Sequence, residues 1–176
     1  MADLGEHYLA IAEKKFRELR KLGEKAFAQV ADEDRFHIAL DPESNSLAVL
    51  IQHLRGNMVS RWTDFLTSDG EKPSRKRDTE FQPNRERSSY ELLTAWNEGW
   101  DCLFKSLASL RPSDLQKTIT IRGEPHTVLE AIQRQLSHCA YHVGQMVFLA
   151  KHLAAENWET LSIPRGQSEK FFRQTP

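Results

Sequence analysis

The sequence predicts an all-α protein: a four-helix bundle with a long crossover loop and a short hairpin or extended arm before the last helix. Three observations predict it. Apolar residues recur at helical spacing in four long stretches. Strand-like alternation is confined to residues 118–121. The third stretch repeats at alternating steps of three and four, the pattern of helices packed along a shared seam. At 176 residues the chain is long enough for one domain, 1–176, with a core that needs neither disulfides nor a structural metal.

The first helix is expected over about 4–31, with Leu4, Tyr8, Ile11, Leu19, Leu22, Phe27 and Val30 on an apolar stripe against a Lys/Glu/Arg face. Gly23 weakens its middle. The second follows the loop DPESNS, where Asn45 or Ser46 can cap, and runs over about 46–67 through Leu47, Leu50, Ile51, Leu54, Met58, Trp62 and Leu66. The third covers about 86–110 and carries Leu93, Trp96, Trp100, Leu103, Leu107 and Leu110 on its seam. The fourth, about 127–154, opens on the capping box Thr127-Val128-Leu129-Glu130 and turns Ile132, Leu136, Cys139, Val143, Met146 and Ala150 inward. The tail, 155–176, reads as an extended strap, with Phe171 and Phe172 suggesting a docking point near its end.

Residues 68–85 form a polar loop long enough to cross along the bundle or cover one end. Its basic run, Lys72, Arg75, Lys76 and Arg77, reads first as solvated charge and only second as an anion or nucleic-acid patch. Formal net charge is −1, which argues against a nucleic-acid partner and against an anionic membrane surface. Cys102 and Cys139 are the only cysteines and both sit in apolar helical patterns, so a reducing, cytoplasmic setting is expected. The first residues carry charges throughout, so neither secretion nor membrane insertion is indicated.

The chemistry-bearing pattern lies in the fourth helix. His138 and His142 are one turn apart and differ by about 40° around the axis, so both imidazoles can converge on one ion. Gln145 shares their edge. His53, on the edge of the apolar face of the second helix, is the best third ligand, and Asn57 and Arg61 follow it at one-turn intervals. Asn57 could orient a ligand or a water. Arg61 could hold a substrate carboxylate or pair with a glutamate. Taken alone, these residues leave two readings open, a metal site or polar boundary residues hydrogen-bonded between helices. His7, His37, His126 and His152 are weaker candidates, and Cys139, about 100° from His138, points into the core.

A histidine midway along the second helix, Arg61-Trp62 two turns on, and H-x-x-x-H-x-G-Q in the fourth helix resemble the DinB-like superfamily of four-helix bundles, which includes bacillithiol transferases and other thiol-dependent, metal-binding enzymes. A subgroup of that superfamily without an assigned activity is similar in HLxGNMxSRWTDFLTxDGEK, TITIRGEPHTVLEAI and LSIPRGQSEKF. The resemblance covers nearly the whole chain. It implies a divalent metal, zinc or nickel, held by His53, His138 and His142, and a homodimer. The expected activity is activation of a thiol or water for attack on a small electrophilic substrate, with a low-molecular-weight thiol as cosubstrate in the transferase form. The alternatives are a hydrolase and a non-enzymatic, stress-associated metal-binding bundle. No helix-4 carboxylate shares the histidine edge, so proton handling would fall to substrate, water or a loop residue such as Glu71 or Glu80.

Overall fold

The computed structural model describes residues 4–30 and 33–172. Four long helices, α1 (Leu4–Phe27), α2 (Leu47–Trp62), α3 (Ser89–Ser109) and α4 (Val128–Ala154), make an all-α bundle. α1 packs chiefly on α4 and α2 chiefly on α3, with α2–α4 and α1–α3 contacts closing the ring. A two-stranded antiparallel hairpin, β1 (Thr118–Ile121) and β2 (Glu124–Thr127), precedes α4. Its tight turn needs positive φ at Arg122 (58°) and Gly123 (76°), which glycine adopts without strain. No described helix is long and apolar enough to cross a membrane.

Capping sets the helix starts. Ser46 accepts from the Val49 N–H, while Ser88 and Thr127 each form a reciprocal box, with Glu91 and Glu130 respectively. The Ser88 box starts α3 at residue 89, so 86–88, expected to be helical, lie outside it. α2 ends five residues before the expected 67, because Thr63 turns extended and Asp64 takes φ 48°. Apolar periodicity continues past that point only because Phe65 folds back in a turn, its ring 4.4 Å from that of Trp62. The end of α1 at Phe27 likewise precedes the expected 31, a position outside the described residues. The tail is not wholly extended: it holds a 3-10 turn, Ala155–Asn157, and a short helix, α5 (Ser168–Phe172). The side chains of Phe171 and Phe172 lie outside the described residues.

Inside the bundle, Phe16, Phe27, Trp96 and Trp100 join α1 to α3 through edge contacts at 5.4–6.4 Å. Gly23 is the seat of this cluster. A Cβ there would stand 2.7 Å from the Trp96 indole, so the residue that lowers helix propensity is the one that admits the tryptophan. Two expected core residues of α1, Leu4 and Ile11, are exposed at 80% and 45%, and Ala12 and Phe16 are buried instead. Leu93 of α3 is also exposed, with Leu92 inside. Adjacent leucines sit about 100° apart, so a small rotation of the stripe exchanges them. Leu136 of α4 is only partly buried at the core's margin.

α2 is buried on nearly every side. The loop after it is fastened along α2 instead of spanning the bundle end freely. Gly70 N–H donates to Thr120 O, Asp69 accepts from the Arg122 and Gly123 N–H groups, and Ser60 Oγ both donates to Gly70 O and accepts from Lys72 N–H. The Glu71 N–H, which also donates to Asp69, and then those of Gly123 and Arg122 hold the carboxyl down at about 2. A 3-10 turn, Arg77–Phe81, then lies against α2.

Candidate metal centre

α2 and α4 meet antiparallel, so that residues one turn apart on each come level in turn. His53 Nε2 lies 3.1 Å from His138 Nε2, and one turn further Asn57 Oδ1 accepts from Gln135 Nε2 at 3.0 Å. His142 completes a triangle, its ring 4.8 Å from that of His53 and 4.6 Å from that of His138. One nitrogen from each histidine falls in a set whose members are all within 4.8 Å of one another. His53 and His142 are buried and His138 is partly so.

Each of two rings is held by an oxygen that can only accept. His53 Nδ1 donates to Glu80 Oε2 at 2.9 Å, and His142 Nδ1 donates to Gln145 Oε1 at 3.0 Å. Both therefore carry the proton on Nδ1 and turn a lone pair on Nε2 inward. His138 Nδ1 is buried with no hydrogen-bond partner among the described residues. Burial and the neighbouring histidines push His138 down to about 3, and burial pushes His142 down to about 4, so both are neutral at pH 7. His138 and His142 thus bring at most one proton to the cluster, that of His138. A divalent cation satisfies all three inward nitrogens. Tetrahedral ligands at zinc distances lie about 3.3 Å apart, close to the 3.1 Å between His53 Nε2 and His138 Nε2. The three histidine nitrogens could therefore hold a divalent metal ion.

The loop orders His53. Glu80 receives two charge-assisted hydrogen bonds from Arg75, at 2.7 and 2.8 Å, and Arg75 also reaches both oxygens of Glu71 at 3.2 Å. Burial alone would raise Glu80, but the bonds from Arg75 and His53 outweigh it and hold the carboxyl below its ordinary value. Carboxylate, histidine and ligand position thus form the relay that fixes ring orientation at metal sites. The Phe81 ring packs tilted against that of His53, with centroids 4.6 Å apart. The Arg75 side chain is 4% exposed, so the reading of 72–77 as solvated charge fails here: two carboxylates in the same loop draw the guanidinium in.

Asn57 is engaged with Gln135, which also donates to Cys139 Sγ at 3.2 Å. Burial raises the Cys139 thiol to about 12, which leaves it an inert core residue. Arg61 is buried and stands 3.9 Å from Glu71, too far for a hydrogen bond. His37 is partly buried and bonds Arg87 O, and His126 lies in β2, so neither joins the cluster. Phe81, Arg75 and Gln135 carry no periodic signal in the sequence. Gly56 does carry one, as a glycine inside a helix. A Cβ on it would overlap the Glu80 carboxylate, so its bare backbone is the seat for the His53 partner.

Gly56→Ala is therefore expected to displace Glu80 and lower divalent-metal affinity by about 10–100-fold, the usual cost of losing an outer partner of a ligating histidine. Competition titration against a chelating dye measures it; unchanged affinity would mean that Glu80 does not govern His53. A second expectation concerns pH. The unfolded chain takes up protons on histidine near 6.5 while folded His138 and His142 stay neutral, so the metal-free protein keeps full stability above about 6.5 and loses it as pH falls toward 4. Between pH 7.5 and 5 the loss is at most on the order of 2 kcal/mol for each histidine, read from urea midpoints.

No curated protein and no solved structure matches this chain. A family match does extend over residues 3–167, nearly the whole length, and by it the chain belongs to the family described as Protein of unknown function (DUF1572).

Proposed function

We propose that this protein is a DinB-like, divalent-metal-dependent enzyme of the thiol-transferase type, acting on a small electrophilic molecule with a low-molecular-weight thiol as cosubstrate. The observation that carries the proposal is the convergence of three imidazoles on one point beside an open cavity of about 510 Å³. Zinc or nickel, when bound, supplies Lewis acidity that lowers the pKa of a thiol or a water at the open position. The chain's own groups do the rest. Glu80 and Gln145 hold two ring protons away from the cavity, Phe81 shields His53, and Asn57 and Gln135 form a fixed polar wall.

Thiol transfer is favoured over hydrolysis by the lining. Among the described residues bordering the cavity there is no Asp or Glu, and Glu71 and Glu80 are both engaged by Arg75. A thiol is acidic enough to give its proton to solvent near neutral pH, whereas water, a far weaker acid, gains more from a positioned base that takes its proton. The same proposal places the protein in the cytoplasm as a homodimer, with the exposed Tyr141 and Phe148 of α4 as the apolar surface a second copy would cover. Sedimentation velocity reads the dimer directly.

The test is a rate panel. Protein purified without a nickel column is assayed for metal, then loaded with zinc, nickel or manganese. Bacillithiol, glutathione, cysteine and mycothiol are offered with chlorinated and epoxide acceptors. The proposal expects one thiol to raise the rate above the His142→Ala background. No acceleration by any thiol would remove the transferase reading and leave hydrolysis or metal binding alone.

A further inference from the structure

The cavity beside the histidines has a second end. His53, Asn57 and Arg61 follow one another by single turns, which carries Arg61 about 12 Å along α2 from His53. On the antiparallel α4, Arg134 precedes His138 by one turn, and it is the strongest like charge acting on Arg61. The hairpin turn adds Arg122, whose Nε donates to Glu71 at 3.2 Å. Arg61, Arg75, Arg77, Arg122 and Arg134 all border the cavity.

The carboxylates nearby do not match this charge. Glu71 alone serves Arg75, Arg122 and, at 3.9 Å, Arg61. Glu80 is taken by Arg75 and His53. Arg134 has no ion pair among the described residues. Arg61 is the telling residue: it is 5% exposed, its side chain makes no hydrogen bond to any described residue, and its Nε is fully buried without a partner. A guanidinium withdrawn from water in this way is costly until an acceptor fills its fork. Burial and the surrounding arginines bring it down to about 10, and it still remains charged at neutral pH.

We propose that the arginine end of this cavity is a subsite for a carboxylate or phosphate group of the small-molecule substrate. Planar, two-pronged recognition of an oxyanion is what arginine supplies and what a nearby histidine cluster does not. The proposal rests on the preceding reading in one respect, that this cavity is where the substrate sits. It adds the substrate's class: an anionic molecule whose charged group lies roughly 8–12 Å from the reacting atom, by the helical rise between Arg61 and His53.

The experiment uses metal-free protein, so that anion binding is read apart from any reaction. Calorimetric titrations at pH 7.5 and fixed ionic strength compare succinate, inorganic phosphate and neutral succinamide. One-to-one saturable binding of succinate or of phosphate is expected, with the stronger of the two identifying carboxylate or phosphate, and none of succinamide. Arg61→Gln and Arg134→Gln should each weaken it by about 10-fold or more, the effect of one charge-assisted hydrogen bond. His142→Ala should leave it within about twofold. Circular dichroism checks the folding of Arg61→Gln, and should that variant not fold, the exposed Arg134→Gln decides alone. The proposal is overturned if neither anion saturates, if the folded arginine variants bind as tightly as the parent, or if His142→Ala abolishes binding. A thiol panel without activity leaves this result standing, and absence of anion binding leaves the metal reading standing.

Discussion

Replacing His142 by alanine is expected to abolish stoichiometric binding of a divalent ion while leaving the bundle folded. Loss of an outer partner costs about 10–100-fold in affinity, and loss of one of three direct ligands costs more. The fold does not depend on this residue. Its core is built from Trp96, Trp100, Phe16 and the leucines of α2 and α3, and His142 lies at the cavity wall. The variant should keep its helical circular dichroism and lose metal in equilibrium dialysis. A variant that loses helicity in the absence of metal would show that the ion, or the histidine, is structural.

The second large effect is expected at Arg75. This guanidinium is buried with Glu80 and Glu71 against it, and removing it leaves two carboxylates partly withdrawn from water without their counterion. Breaking a buried pair from one side costs about 3–5 kcal/mol, far above the 0–1 kcal/mol typical of an exposed pair. Arg75→Ala should therefore lower the urea midpoint of the metal-free protein strongly. It should also raise the Glu80 carboxyl toward the range of a buried acid, and weaken metal binding through His53. The sign in pH follows from Glu80 being depressed in the folded parent: its contribution is present above the ordinary carboxylate range and is lost as pH falls through the folded value. Pairing Arg75→Ala with Glu80→Gln in a double-mutant cycle isolates the coupling. A loss below about 1 kcal/mol would mean that the pair behaves as a surface contact.

What could be read from the sequence, and what could not, follows from where periodicity operates. His138 and His142 announce themselves because one helix carries both, and their spacing is a helical turn. His53 could be placed only as an edge residue of another helix, and packing decides which edge meets which. Glu80, Arg75 and Phe81 come from a loop, where no repeat relates a residue to its contacts, although Glu80 stood out there as an acid near the site. The two glycines are a different case. Gly23 and Gly56 look like weaknesses in their helices, yet each admits a side chain from elsewhere, Trp96 and Glu80, that no local rule foretells. The end of α2 was obscured by Phe65 and Leu66, which keep the apolar rhythm while the backbone has already turned.

The most direct measurement is X-ray absorption spectroscopy at the metal edge of the zinc-loaded protein. If His53, His138 and His142 hold the ion, the spectrum shows imidazole multiple scattering from three nitrogens at about 2.0–2.1 Å, one further light atom and no sulfur. The signal should fall apart in His142→Ala. A sulfur shell near 2.3 Å, or a first shell of oxygens without imidazole scattering, would contradict the account.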